Sequence, residues 1–331
     1  MFNNSIILVT GGTGSFGRAF SKEILKLYKP KKLIIYSRDE LKQFNMSNDK
    51  FFKKYEKRMR YFIGDVRDFE RLKMAMSGVN YVVHAAALKQ VVASEYNPFE
   101  TIKTNIIGAQ NVVEASFYNK VKKIIALSTD KAASPINLYG ATKLASDKLF
   151  VAANDYIGLK NIKFSAVRYG NVMGSRGSVI PLFLSKLNEK YINVTHKQMT
   201  RFNITLDESV KFVIKCFKIM KGSEIFVPKT PSYKILDLVK AINTKSKIKI
   251  IGIRRGEKLH EELITKNDSI NTVEHKDYYV IYPYLKDYKF SKGKKCPKNF
   301  SYTSDTNKTF LSPKKLRSLI MTNVTKDKKL R

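Results

Sequence analysis

An apolar run, Ser5-Ile6-Ile7-Leu8-Val9-Thr10, feeds directly into Gly11-Gly12-Thr13-Gly14-Ser15-Phe16-Gly17, and this junction restricts the fold more than any other stretch. The run reads as a fully buried strand. Glycines at 11, 14 and 17 make a G-x-x-G-x-x-G variant of the dinucleotide fingerprint. Their missing side chains permit a tight turn, close approach of backbone to a pyrophosphate, and close helix packing. Phe16, Phe20, Ile24 and Leu27 then form one apolar stripe, so a helix N-terminus is expected to face the phosphates. Thr13, Ser15 and Phe16 join the three glycines as candidate cofactor residues.

The pattern repeats along the chain. A second strand, Lys32-Leu33-Ile34-Ile35-Tyr36, ends in Ser37-Arg38-Asp39, with Lys42 close behind. A carboxylate here would hold a ribose 2′-hydroxyl, whereas Arg38 can fork onto a 2′-phosphate, so NADP is expected over NAD. A third strand runs from Arg60 to Val66. The fourth, Tyr81-Val82-Val83, ends in His84-Ala85-Ala86-Ala87-Leu88-Lys89; Ala85 and Ala86 let backbone lie against a cofactor, and Lys89 is expected to point at substrate. Lys123 to Leu127 is the fifth strand, and Ser128, Thr129, Asp130 and Lys131 sit where it leaves the sheet, where open parallel sheets bind ligands. The following helix puts Leu138, Ala141, Ala145 and Leu149 on one face and Tyr139 and Lys143 one turn apart on a neighbouring face. An ammonium beside a phenol lowers a pKa that is ordinarily about 10.

With Phe164 to Val172 as a sixth strand, this alternation predicts an α/β fold: a Rossmann-type doubly wound parallel sheet with a smaller mixed α/β substrate lobe. The nucleotide domain is expected over residues 1–170, rejoined by about 204–230, and the lobe over 171–203 and 231–331. Polar groups suited to a sugar diphosphate are Asn171, Arg176, Ser178, Thr200, Arg201, Arg254 and Glu257.

Composition narrows the class. No apolar run reaches the ~20 residues of a membrane span and no signal peptide is read, so a cytoplasmic protein without integral membrane association is expected. Two cysteines do not make a disulfide framework, and the four histidines lack metal-ligand spacing, so no metal is expected. The net charge of +34 suits polyanions, but no nucleic-acid motif accompanies it. Solvated lysine with some steering of an anionic substrate is the reading, with no nucleic-acid partner.

The Ser/Thr…Tyr-x-x-x-Lys arrangement resembles the extended, nucleotide-sugar branch of the short-chain dehydrogenases/reductases. Within it the chain is similar to the UDP-N-acetylglucosamine 4,6-dehydratases that invert C5 and open pseudaminic acid or capsule-sugar pathways, including those for flagellin glycosylation. The matching pieces are residues 10–17, Tyr36-Ser37-Arg38-Asp39-Glu40, Gly64-Asp65-Val66-Arg67-Asp68, 84–89, 126–148, 168–181 and Gly256-Glu257-Lys258-Leu259-His260-Glu261. Most specific is Thr129-Asp130-Lys131, where dTDP-glucose 4,6-dehydratases carry Asp-Glu and epimerases lack the acid/base pair.

The resemblance implies a tightly held NADP regenerated each turnover, Asp65 and Val66 against its adenine, and Asn105 bracing the active-site strand. It implies that Tyr139, helped by Thr129 and Lys143, takes the 4-hydroxyl proton, that Lys131 is the C5 base and that Asp130 is the acid for the departing 6-hydroxyl. Lys131 must then be neutral and Asp130 protonated, both against their preference in water. A homo-oligomer, as large as a hexamer, is also implied. Gln90, Val92, Asn203, Arg255 and Phe310 depart from the family pattern, in what are expected to be loops around the substrate lobe. Two rival readings are a nucleotide-sugar 4-epimerase and a non-catalytic dinucleotide-sensing protein; Asp65 as a helix cap is the structural alternative for that residue.

Overall fold

The computed structural model describes residues 1–156, 161–175, 177–242, 246–284 and 292–325. Strands and helices alternate: β1 (Ile6–Thr10), α1 (Ser15–Leu27), β2 (Lys32–Ser37), α2 (Glu40–Ser47), β3 (Met59–Ile63), α3 (Phe69–Ala75), β4 (Tyr81–His84), α4 (Gly108–Tyr118), β5 (Lys123–Thr129), α5 (Leu138–Tyr156), β6 (Lys163–Tyr169), α6 (Leu206–Ile219) and β7 (Ile225–Pro228). These strands pair in parallel in the order β7-β6-β5-β4-β1-β2-β3. The order reverses between β1 and β4, and the crevice above that point is where a doubly wound sheet takes a dinucleotide.

The strands read as unbroken apolar runs because both faces of the sheet are covered. Ile7, Val9, Leu33, Ile35 and Ile125 pack with Phe20 and Ile24 of α1 and Val213 and Phe217 of α6. Leu8, Ile34, Val82 and Ile124, one residue out of phase, pack with Leu72, Val112 and Phe150 on the other side. This is the period of two that a pleated strand imposes.

Two helix faces differ from expectation. In α1 the buried set is Gly17, Phe20, Ser21, Ile24 and Leu25, while Leu27 is exposed. Leu27 is the helix's last residue and lies on the edge of the stripe, so Leu25 takes its place against the sheet. In α5 the predicted apolar face is not the buried one: Ala141 is exposed and Leu138, Ala145 and Leu149 are half-buried. The buried residues are Gly140, Thr142, Lys143, Ser146, Asp147, Phe150 and Ala153. They meet polar groups of the neighbouring strands: Ser128 donates to Asp147 at 2.7 Å and Arg168 of β6 donates to the same carboxylate at 3.1 Å. A helix that packs on a polar surface buries its polar side.

Beyond β7 the sheet continues with antiparallel strands 278–281, 272–274 and 294–295, drawn from the stretch expected to lie wholly in the lobe. The lobe has a three-stranded sheet (171–172, 200–204, 232–234) and the pairs 191–194/247–250 and 262–264/302–303. Its core joins Ile180, Phe183, Ile192, Leu238, Leu316 and Ile320. The chain passes back to the main sheet at Thr205 and Glu208, a reciprocal capping box that starts α6. Among the described residues no helix is long and apolar enough to cross a membrane.

Asp147 ties β5, α5 and β6 together from a site 1% exposed. Asp147→Ala should lower stability by up to about 3–5 kcal/mol, because buried Arg168 is left with Asp268, at 3.5 Å, as its remaining carboxylate. Chemical denaturation measures this, and a cost under about 1 kcal/mol, the range of an exposed pair, would contradict it.

Candidate active site

A cavity of about 810 Å³ runs from the switch point to the lobe. At its sheet end Gly11 adopts φ +62°, and a Cβ there would lie 2.9 Å from the Ala85 carbonyl and the Ala86 backbone. A Cβ on Gly17 would stand 2.5 Å from Gly12. Thr10 locks the approach: its hydroxyl accepts from the amides of Ala85 and Ala86 at 3.1 and 3.2 Å and therefore donates to His84 Nδ1 at 2.8 Å. Gly14 caps α1 without a side-chain bond, and no acidic residue occupies the first turn. The helix thus presents free N–H groups and its positive end to the cavity, which fits a diphosphate.

The expected cofactor residues Gly11, Thr13, Gly14, Ser15, Phe16, Gly17, Ser37, Arg38, Lys42, Asp65, Val66, Ala85, Ala86, Tyr139 and Lys143 all line this cavity. Thr13 and Ser37 share a hydrogen bond of 2.8 Å. Arg38 is half-exposed, 3.4 Å from Asp65. Asp39, also on the cavity wall, caps α2 and pairs with Lys42. Asp65 is no helix cap, since Asp68 caps α3. Instead Asp65 binds Arg67, whose guanidinium and amide, with Arg38, hold its carboxyl below the usual range against the cost of burial.

A charged cluster stands at the end of β5. Thr129 Oγ1 donates to Asp130 Oδ1 at 2.9 Å, and Lys131 Nζ donates to the same oxygen at 3.1 Å and to Glu261 Oε1 at 3.3 Å. Glu261 is held from the lobe side by Arg201 Nε at 3.4 Å, and Arg201 also reaches Glu257 at 3.2 Å. Asp130 and Glu261 are 1% and 2% exposed, and Asp130 Oδ2 and Glu261 Oε2 have no hydrogen-bond partner among the described residues. Burial, then the Glu261 charge, pushes the Asp130 carboxyl up. Burial opposes charge on Lys131, yet Asp130 and Glu261 outweigh it and hold the ammonium above its ordinary value. Glu261 goes the other way: Lys131 and Arg201 overcome burial and hold it ionised. The protonated carboxyl expected at Asp130 therefore has a cause, whereas Lys131 in the protein alone is an ammonium and not a neutral amine.

Tyr139 likewise departs from expectation. Burial pushes its phenol up to about 12, with Lys131 and the Thr129 hydroxyl pulling it down. Burial, opposed by Asp147, lowers Lys143 itself.

Of the expected substrate residues, Lys89, Asn171, Ser178, Arg201, Arg254 and Glu257 line the cavity, and Arg176 lies outside the described residues. Thr200 turns away, with its hydroxyl between His260 Nδ1 at 2.8 Å and Ser304 Oγ at 2.7 Å. Strand alternation explains this: Arg201 faces the cavity, so its neighbour cannot. Asn105 clamps Leu88 through both backbone groups and Thr142 of α5, at 2.9 to 3.0 Å, and so braces the loop after β4 in place of β5. Gln90, Val92 and Arg255 stand at the cavity, whereas Asn203 is buried within strand 200–204 and not in a loop. Glu261 lies in the matching stretch 256–261, but sequence reasoning gave it no role of its own.

A family model described as "Polysaccharide biosynthesis protein" matches residues 7–283. The chain is 56% identical to the UDP-N-acetylglucosamine 4,6-dehydratase (inverting) of Campylobacter jejuni subsp. jejuni serotype O:2, over 97% of this chain and 98% of that protein. It is 40% identical to the UDP-glucose 4-epimerase of Rickettsia rickettsii, over 97% of each. The X-ray structure of Pen from Bacillus thuringiensis is similar with a TM-score of 0.89 and 38% identity, covering 97% of this chain and 98% of that one. Sequence, sheet order and cleft agree, and the chain belongs to the polysaccharide biosynthesis protein family of extended short-chain dehydrogenases/reductases.

Proposed function

We propose that this protein is a hydro-lyase that dehydrates UDP-N-acetylglucosamine with inversion at C5, giving a UDP-4-keto-6-deoxy-L-arabino-hexosamine. The observation that carries the reading is the 3.1 Å contact between Lys131 and Asp130 in the cavity that also holds Tyr139 and Lys143. The glycine cradle and uncapped α1 N-terminus fit a nicotinamide dinucleotide, whose chemistry when bound is reversible hydride uptake. Ser37 and Arg38 suit the 2′-phosphate of NADP.

Tyr139 would take the proton of the 4-hydroxyl; its raised pKa means that it becomes a base near neutral pH only with added positive charge in the cavity. Lys131 would take the C5 proton, made acidic by the neighbouring 4-ketone, and Asp130 would protonate O6 so that it leaves as water. The resting ion pair already holds the required number of protons. Shifting one from Lys131 Nζ to Asp130 breaks an N–H bond, leaves the pair of electrons on nitrogen and forms an O–H bond. That gives neutral amine and protonated carboxyl without exchange with solvent. Elimination then adds a proton to Lys131 and removes one from Asp130, which restores the ion pair. Lys89 and Arg254 supply positive charge for the diphosphate.

Exposed Val92, Tyr96, Phe99 and Ile107 on the helical stretch 91–107 support burial of this face between copies in a homo-oligomer. The site suits a cytoplasmic supply of UDP-sugar, and the pseudaminic acid route is one that uses such a product. A 4-epimerase reading draws on the Rickettsia relatives' name and would also use Tyr139 and Lys143, but it gives the Asp130–Lys131 pair no task.

Purified protein with UDP-N-acetylglucosamine should yield a product lighter by one water, read by mass spectrometry. Lys131→Ala and Asp130→Asn should each lower kcat by about 10²–10⁴-fold. An isomeric product of unchanged mass, still formed by Lys131→Ala, would sink the dehydratase in favour of the epimerase. Arg38→Ala should weaken NADP binding by about 10–100-fold and leave NAD binding nearly unchanged. Equal losses for both cofactors would overturn the NADP preference.

A further inference from the structure

Glu261 has no task in the chemistry just described, yet it is a carboxylate 2% exposed, brought to the catalytic wall from the segment before strand 262–264. One oxygen is shared by Lys131 Nζ and Arg201 Nε, at 3.3 and 3.4 Å, and the other has no hydrogen-bond partner among the described residues. Its backbone is pinned by Ser304, which accepts from the Glu261 amide at 2.9 Å and donates its own amide to the Glu261 carbonyl at 2.8 Å. The backbone is thus fixed by Ser304, and the carboxylate itself is held by Lys131 and Arg201. Lys131 therefore lies between two carboxylates of different kinds, one beside it in the turn after β5 and one across the cleft.

We infer that Glu261 is a positioning residue for the proposed dehydration: a fixed anion that holds the Asp130–Lys131 pair at the single shared proton that the elimination needs. The inference rests on the dehydratase reading. With Glu261 ionised, both loss of that proton at high pH and gain of a second at low pH occur at higher pH than they otherwise would, because an anion favours every protonated form beside it. Among the described residues, the charged and titratable groups that face the cluster are Asp130 and Lys131 from the turn after β5, Tyr139 from α5, Arg201 from strand 200–204, Tyr233 from strand 232–234, and Glu257 and Lys258 from the loop before Glu261. His260 is turned to Thr200. Among these Arg201 acts against Lys131 protonation, so freeing it from Glu261 reinforces the effect of removing the anion.

The test is the pH dependence of water loss from UDP-N-acetylglucosamine in wild type, Glu261→Gln and Glu261→Asp. Both limbs of the Glu261→Gln profile should move to lower pH by about one pH unit or more. Glu261→Asp keeps the charge and should keep the limbs while turning over more slowly. A Glu261→Gln profile that is lower but unmoved, or unchanged throughout, would overturn the inference. If Glu261→Gln does not fold, a displaced limb in Glu261→Asp overturns it and an undisplaced one supports it. Labelling of Lys131 by an amine-selective acylating reagent, mapped by mass spectrometry at one fixed pH, should quicken about tenfold in Glu261→Gln for each pH unit of lowering. That readout needs no turnover, so failure of wild type to release water would count against the dehydratase reading alone, while unquickened labelling would count against Glu261.

Discussion

The ammonium of Lys131 sits between two buried carboxylates, and the architecture around it follows from that contact. Asp130 comes with Lys131 from the end of β5, while Glu261 and its partner Arg201 come from the lobe. The site exists only when the two layers close on each other. Placing these charges out of water is costly, and a buried ion pair is seldom the cheapest way to join two layers. A split pair of carboxyls, one pushed towards the neutral acid and one held ionised, is instead the pattern of an acid/base centre.

The rest of the molecule fixes this cluster relative to a cofactor cradle. Gly11 and the Ala85–Ala86 backbone meet at a distance no side chain allows, and Thr10 holds them there. Asn105 stitches the same loop to α5, the helix that carries Tyr139 and Lys143. It lies in a single turn of π-helix, Lys103–Ile107, a kind of defect that recurs at functional sites because it re-aims one side chain. Asp147, bridging Ser128 and Arg168, sets α5 against β5 and β6 from below.

The parallel sheet was legible because strands covered on both faces read as plain apolar runs between glycines and loops, and β1 with Gly11, Gly14 and Gly17 is the clearest case. Helix faces were less legible. Counting apolar residues placed Leu27 and the Leu138–Leu149 stripe inwards, but α5 lies on a polar surface and buries Thr142, Ser146 and Asp147. Thr200 and Arg201 were both plausible contacts until pleating put them on opposite sides. Glu261 could not be found from spacing at all. It lies 130 residues beyond Lys131, and only the return of the lobe to the main sheet brings the two together.

The central claim is that Asp130 and Lys131 remove water across C5 and C6 and leave the sugar inverted. Proton NMR of UDP-N-acetylglucosamine incubated with the protein in deuterated water tests it most directly. The account predicts a new C6 methyl signal, deuterium at C5 and ring couplings of the L-arabino product. A UDP-N-acetylgalactosamine spectrum with its 6-hydroxymethyl group intact would contradict it.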